Sequence, residues 1–494
     1  MTPSENSART IARVAAIPLP HDAKATRGQA VGLLVPPSVF VVPRGWEWTH
    51  TAPFEGPSIL ASLIRGLGYP FRLFDQRDDF DPERVRGLAA GCDIVGISVY
   101  GDSFNYVRRA VAILKEERPQ RPVVLGGPLA TAAPRLLLEA TQADFVVAGE
   151  GELTLTELLD HLSGDRRALP VPDILGLAWR DEAGGIRLNA LRPQLQDLDA
   201  VPFQDLGAWD RFRGKTIPEL YLSYSRGCAH ACSFCYRPFP KLRLKSVARV
   251  RKELDYYKAF GFRHAWWNDL TFVTDRDYVQ RLMRDALPAH PFSWNAFSRV
   301  TGLDEETLLL MKDHGLDIVL YGMESVSPEV LAGYRKGITR NAMIDTIHLH
   351  RKCGVKIGGL FIIGAPADDA AGMRDLTAFC VQFKEITRVK YLSALPGTPF
   401  YRDCLKNGLI RDEVKHLEWL SEEQSVEEDI DHPGFVKFTE PLSKPELRQV
   451  YRDVNGLIEQ RPYDYIRRDN VFLEVGDKFL KRQPAKTRLP GEIR

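Results

Sequence analysis

The chain has 494 residues, 44% of them apolar and 27% charged, with 66 basic against 65 acidic side chains and a formal net charge of +1. That length exceeds one ordinary core and implies two or three domains. The balanced charge gives no basis for a polyanionic partner such as nucleic acid, whose binders carry a basic excess.

Residues 1–29 hold Arg9 and Arg13 but no hydrophobic block, and read as a flexible leader. The longest apolar stretch, 30–43, is broken by Pro36 and Pro37. It falls short of the roughly 20 residues a spanning helix needs, so no membrane partner is expected. Over 30–164, apolar runs at 31–35, 71–74, 94–99, 123–125 and 145–148 alternate with amphipathic stretches at 57–67, 104–117, 135–141 and 153–162. Runs that are apolar throughout suit strands covered on both faces, and the alternation predicts an α/β fold with a doubly wound, flavodoxin-like parallel sheet. Ligands of such sheets lie beyond the carboxyl ends of the strands. There the chain carries Ile94-Val-Gly-Ile-Ser-Val-Tyr100, Leu125-Gly-Gly-Pro128 and Gly149-Glu-Gly-Glu152. Small residues at a rim let a bulky ligand approach the backbone, although an ordinary strand-to-helix turn accounts for any one of these strings.

Residues 165–217 are richer in Pro, Gly, Asp and Arg and read as a linker, with a hairpin of 176–180 and 185–189. A second alternation follows over 218–403, with strands at 221–225, 264–268, 293–298, 318–322, 357–363 and 389–394. Helical patterns fill the gaps, as at 247–260, 305–314 and 342–353, and six such units predict a partial (β/α)6 barrel. Residues 404–494 are expected to form a small, mostly helical C-terminal region, with the acidic run 421–431 as a solvated face.

The seven cysteines are Cys92, Cys228, Cys232, Cys235, Cys353, Cys380 and Cys404. An odd, sparse set is no disulfide scaffold and suits a reducing cytoplasm. Only three cluster, in Ser225-Arg-Gly-Cys-Ala-His-Ala-Cys-Ser-Phe-Cys-Tyr236, on a loop directly after a strand. Three thiolates so spaced can hold three irons of a cubane and leave the fourth open. The alternative is a zinc site with His230 or a distant residue as fourth ligand, but no further cysteine or histidine pair at zinc-site spacing follows. The other four cysteines read as buried thiols.

At this string the sequence resembles the radical S-adenosylmethionine (SAM) superfamily, and the resemblance extends over about 218–400. Trp267-Asn-Asp-Leu-Thr-Phe272 looks like that family's second-strand end, near the SAM amino group. Phe297-Ser-Arg299 and Gly322-Met-Glu-Ser325 match its third and fourth strand ends, the latter beside the ribose. Gly354-Val-Lys-Ile-Gly-Gly-Leu-Phe-Ile-Ile-Gly-Ala-Pro366 resembles the fifth-strand element lining the adenine, and Leu395-Pro-Gly-Thr-Pro399 the sixth-strand end. The N-terminal triplet of strings is similar to the cobalamin domain of class B radical SAM proteins.

The resemblance implies a 4Fe–4S cluster on Cys228, Cys232 and Cys235. It implies SAM contacts from Tyr236, Asn268, Asp269, Arg299, Glu324, Ser325, Ile357 and Leu395, and cobalamin contacts from Ser98, Gly126, Gly127, Gly149, Glu150 and Gly151. Classical cobalamin domains place D-x-H-x-x-G after the first strand. Here His50 has Trp48 and Pro53 at the Asp and Gly positions, so His50 is expected to be a loop histidine and cobalt to lack a protein ligand. Tyr236, Trp266 and Trp267 are candidates for a pocket wall, with core packing as the alternative.

The implied activity is methyl transfer to an unactivated carbon, or failing that phosphorus, of a small-molecule or natural-product intermediate. It proceeds through a 5′-deoxyadenosyl radical and methylcobalamin. A flavodoxin- or ferredoxin-type electron donor is implied as partner. Two alternatives stand beside it: a cyclase or ring-rearranging enzyme with the same cofactors, and a zinc-bound nucleic-acid module.

Overall fold

The computed structural model describes residues 3–37, 52–77, 80–287, 292–421 and 430–460. His50 and Trp48 lie outside the described residues, as does 422–429 of the acidic run.

The N-terminal unit begins with helix α1 (Pro3–Ala15) and continues β1 (Val31–Val35), α2 (Glu55–Gly66), β2 (Phe71–Asp75), α3 (Pro82–Gly91), β3 (Ile94–Ser98) and α4 (Phe104–Glu117). It proceeds through β4 (Val123–Gly126), α5 (Pro128–Ala132), α6 (Pro134–Ala140), β5 (Phe145–Val147) and α7 (Gly151–Leu162) to the hairpin β6 (Leu177–Arg180) and β7 (Ile186–Leu188). The strand order is β2-β1-β3-β4-β5-β6-β7, parallel through β5. This is the doubly wound order expected, and all five residues of β1 are buried as a two-sided sheet requires.

Two expectations fail here. Instead of a flexible leader, residues 3–15 form the docked helix α1, held by Ile11 and Val14 in an apolar cluster with Leu63 and Leu153 and also by polar bonds. Asn6 Nδ2 donates to Glu157 Oε1 at 3.0 Å, Thr10 Oγ1 to the same oxygen at 3.1 Å, and Arg13 pairs with Asp160. The supposed linker opens with the correctly placed hairpin, but β6 pairs antiparallel with β5, so these residues extend the sheet. Its second half is a wedge. Trp209 is fully buried, donates to Ser58 Oγ of α2 at 2.8 Å and meets the Phe54 ring.

The second unit runs β8 (Glu219–Leu222), the short pair β9 (Ser225–Arg226) and β10 (Arg243–Leu244), α8 (Val247–Tyr257), β11 (His264–Trp267), α9 (Arg276–Arg281), β12 (Ser293–Ser298) and α10 (Glu305–Asp313). It continues β13 (Leu316–Glu324), α11 (Pro328–Gly333), α12 (Arg340–Cys353), β14 (Lys356–Ile363), α13 (Ala370–Gln382) and β15 (Ile386–Tyr391). Six parallel strands lie in the order β8-β11-β12-β13-β14-β15, an open partial barrel. Its helices start where the sequence supplies caps: Ser246, Asp304, Ser327, Thr339 and Asp369 each accept a backbone N–H of the first turn.

Three helices follow: α14 (Pro399–Lys406), α15 (Glu413–Leu420) and α16 (Lys444–Glu459). Tyr451 of α16 stacks on Tyr391 of β15 at 4.7 Å. From α15, Glu418 pairs with Arg108 of α4 and accepts Asn105 Nδ2 on its carbonyl at 3.0 Å. One continuous apolar core includes side chains of both sheets and of α15, so the two units share an apolar interface.

Candidate active site

The cysteine loop leaves β9 at the carboxyl ends of the barrel strands, and its course is set by bonds that do not involve sulfur. Asp269, just past β11, accepts Ser225 N–H at 2.7 Å, Tyr224 N–H at 3.2 Å and the Ser225 hydroxyl. Gly227 has φ +88, and a Cβ there would fall 2.1 Å from the Lys241 carbonyl oxygen, so no side chain fits. Further on, Ser233 N–H donates to Tyr334 O at 2.9 Å and its hydroxyl to Gly333 O at 2.9 Å, which anchors the loop on α11.

Within that frame Cys228 is buried, Cys232 half-buried and Cys235 exposed. The Cys235 thiol is pushed up to about 11, first by loss of hydration at the sulfur and then by Cys232, with Cys228 also contributing. Donors surround the sulfurs. His230 N–H lies 3.5 Å from Cys228 Sγ, the Thr271 hydroxyl 3.9 Å from the same atom, and Arg299 Nη1 3.9 Å from Cys232 Sγ. Burial, then the nearby Arg299, Lys336 and Arg237, lower the His230 pKa below that of a free imidazole. Three thiolates carry a large negative charge, and N–H donors with arginine and lysine are the complement such a group needs. Among the described residues no three His, Cys, Asp or Glu side chains converge on one metal ion. A tetrahedral ion with bonds of about 2.3 Å needs sulfurs only roughly 4 Å apart, whereas a cubane spreads one thiolate to each iron corner. The residues fit the cluster.

The strand ends beyond the loop behave differently from one another. Asn268 stands exposed at the end of β11, and Arg299 lies at the end of β12 beside the cysteines. Glu324 ends β13 in a left-handed conformation, φ 64, after a register shift, and its Oε1 accepts Lys336 Nζ at 2.9 Å. A Cβ on Gly322 would fall 2.3 Å from that Oε1, so the glycine of this string admits the ion pair. Ser325 accepts Ser327 N–H at 3.1 Å, and Leu395 is half-buried past β15.

Two SAM-side expectations do not match the geometry. Asp269 is 2% exposed, and its carboxylate, pushed up to about 7 chiefly by burial, is saturated by the loop it pins. Ile357 is fully buried at the start of β14, six residues or roughly 20 Å from the rim end of that strand, and belongs to the core. Lys336 went unnoticed in the sequence, because its partner lies twelve residues away across the α11 turn.

Ser98, Gly126 and Gly149 form the opposing rim at the ends of β3, β4 and β5. A Cβ on Gly126 or on Gly149 would meet no atom of the described residues within 4 Å, so among them space lies open above both backbones. Gly127 differs, because its Cβ would come within 3.0 Å of the Val99 carbonyl oxygen; this glycine serves close packing of the turn. Gly151 starts α7, and the Glu150 carboxylate is spent on Arg226, Arg243 and the Leu195 N–H rather than turned to the rim. Tyr236 is a seam residue, its hydroxyl donating to Pro128 O of the rim. Trp267 packs in the main core, whereas Trp266 lies on the other face of the sheet with Ile318 and Leu320. Beside it Phe297 is 37% exposed, with the Trp266 and Phe297 rings 5.5 Å apart. Together these make an apolar wall.

Two families of sequence cover these halves. The one described as B12 binding domain matches residues 60–159, and the Radical SAM superfamily matches residues 222–380. An uncharacterized methyltransferase of Pyrococcus horikoshii is 30% identical over 404 residues, covering 76% of this chain and 83% of that one. Cytidylyl-2-hydroxyethylphosphonate methyltransferase of Streptomyces wedmorensis is 25% identical over 428 residues, covering 72% and 79%. In fold, the chain resembles the radical SAM methyltransferase TsrM of Kitasatospora setae, solved with cobalamin and a 4Fe–4S cluster, with a TM-score of 0.66 at 19% identity over 91% of this chain and 95% of that one. The chain belongs to the cobalamin-dependent radical SAM enzymes, and its cofactors are cobalamin, SAM and a 4Fe–4S cluster. The zinc-bound nucleic-acid module falls with that assignment. No helix among the described residues is long and apolar enough to cross a membrane.

Proposed function

We propose that the protein transfers a methyl group to an unactivated carbon of a small molecule, drawing electrons from a flavodoxin- or ferredoxin-type donor. The observation that carries this reading is the bracketing of the cysteine loop by the glycine rim: Arg226 before it pairs with Glu150 and Glu152, and Tyr236 after it bonds Pro128. When bound, the cofactors supply a hydrogen-abstracting radical on one side and a transferable methyl group on the other. Two reacting centres held face to face need no diffusing intermediate, which is worth several orders of magnitude in rate.

In this reading Cys228, Cys232 and Cys235 hold the cluster, and Asn268, Arg299 and the Glu324–Lys336 pair present polar groups to SAM. Gly126 and Gly149 leave the clearance cobalamin needs. Phe297, part-exposed and backed by the buried Trp266 ring, offers the substrate an apolar surface, which suits a carbon target better than a charged phosphorus centre and excludes water from the radical.

The test is anaerobic turnover with reductant, cobalamin and SAM carrying a trideuterated methyl group, using the small-molecule fraction of the source cells as substrate pool. Label on a carbon of the product is the expected outcome. Label confined to unreacted SAM while substrate is consumed would show a cyclisation or rearrangement instead.

A further inference from the structure

Arg226 and Arg243 sit directly opposite each other in the two-residue antiparallel ladder of β9 and β10. Like charges across a strand pair repel, and this ladder is too short to outweigh that by itself. What makes it tenable comes from the other domain. Glu150 accepts Arg226 Nη1 at 3.1 Å and Arg243 Nη1 at 2.9 Å, while Glu152 accepts Arg226 Nη2 at 2.6 Å. Two carboxylates thus neutralise two guanidiniums, and both Glu side chains are more than nine-tenths buried, so salt screens the network little. Arg243 also donates to the Leu195 carbonyl oxygen.

The position of this network matters more than its strength. Arg226 is two residues before Cys228, and Glu150 lies between Gly149 and Gly151 on the rim. The far end of the loop is stopped as firmly. Gly397 packs so closely that a Cβ would fall 2.9 Å from Ala132 Cβ of α5 and 3.4 Å from the Tyr236 ring. The cysteine loop therefore cannot shift without moving the rim.

We propose that Glu150, Glu152 and Arg226 are positioning residues that set the separation and orientation of the cluster loop relative to the cobalamin rim. They touch neither substrate nor reacting atoms, and the proposal rests on the two-cofactor reading above. A misplacement of about 1 Å at such a distance is enough to lower productive transfer by up to about a hundredfold.

The test uses the full-length protein loaded with cluster and cobalamin, comparing wild type, Glu150→Gln/Glu152→Gln, Arg226→Lys and Glu152→Asp. Iron and cobalamin contents are measured separately. Paramagnetic resonance of the cob(II)alamin form then reports its magnetic interaction with the reduced cluster. The double variant is expected to keep both cofactors, to lose or broaden the single interaction of the wild type, and to raise 5′-deoxyadenosine relative to S-adenosylhomocysteine at least about tenfold. Glu152→Asp and Arg226→Lys are expected to restore part of the interaction. An unchanged interaction and ratio at full loading overturn the proposal. So does loss of iron from a folded, cobalamin-loaded variant, which makes the network a support of the cysteines alone. A wild type that takes up only one cofactor strikes instead at the two-cofactor reading.

Discussion

Replacing Cys228, Cys232 and Cys235 together with alanine is expected to take the protein from about four irons per chain to background and to abolish reductive cleavage of SAM. The loss should be complete, because the three thiolates are expected to hold one iron each: Cys92 is 3% exposed under Gly32 in the N-terminal sheet, and Cys404 is 1% exposed, enclosed in the apolar cluster that Phe234 joins. The fold should survive. The loop is pinned through Ser225 to Asp269, Arg226 to Glu150 and Glu152, Ser233 to α11, and Tyr236 to Pro128, and none of these bonds uses sulfur. Cobalamin uptake is therefore expected to persist in the triple variant. Full iron content in that variant contradicts the assignment, whereas Cys92→Ala should leave iron unchanged.

Gly126→Trp should produce the opposite phenotype, with iron retained and cobalamin lost. Gly126 ends β4 without a left-handed φ, and no atom of the described residues lies within 4 Å of its Cβ direction, so the backbone accepts a side chain there without strain. An indole then occupies the volume above the rim that the ligand needs. Occupancy is expected to fall at least tenfold, equivalent to about 1.4 kcal/mol or more of lost binding. Equilibrium dialysis with aquacobalamin, alongside iron analysis and a melting curve, checks it. Stoichiometric cobalamin in the folded variant removes the glycine rim from the ligand site. Gly149 is the poorer choice, since its φ of +94 strains any replacement whatever the space.

Most of the architecture was legible because the strands are local events. β1, β12 and α4 fall on the very residues that periodicity marks, and the six barrel strands keep their chain order. The cysteine spacing was equally local. What the sequence concealed depends on partners far along the chain. Asp269 and Glu150 stand at the right strand ends and look like ligand groups, yet each spends its carboxylate on the cysteine loop, 44 and 76 residues away respectively. Helix α1 is hard to read in the sequence because its apolar contacts are few, through Ile11 and Val14, and much of its hold comes from Asn6, Thr10 and Arg13 on buried acids. The hairpin β6–β7 was placed correctly but misassigned as linker, since nothing in its own residues announces that it completes a sheet. Trp266 and Trp267, adjacent in sequence, face opposite sides of one strand, and only the burial of their neighbours tells which belongs to the core.

The count of by-products tests the central claim most directly. If one SAM supplies the methyl group and another the radical, each turnover releases one S-adenosylhomocysteine and one 5′-deoxyadenosine, provided hydrogen abstraction is irreversible. Anaerobic turnover followed by quantitation of both nucleosides should therefore show them rising together at a ratio near one. Steady accumulation of 5′-deoxyadenosine and product, with S-adenosylhomocysteine at background, would contradict methyl transfer and leave a cyclase or rearranging enzyme on the same scaffold.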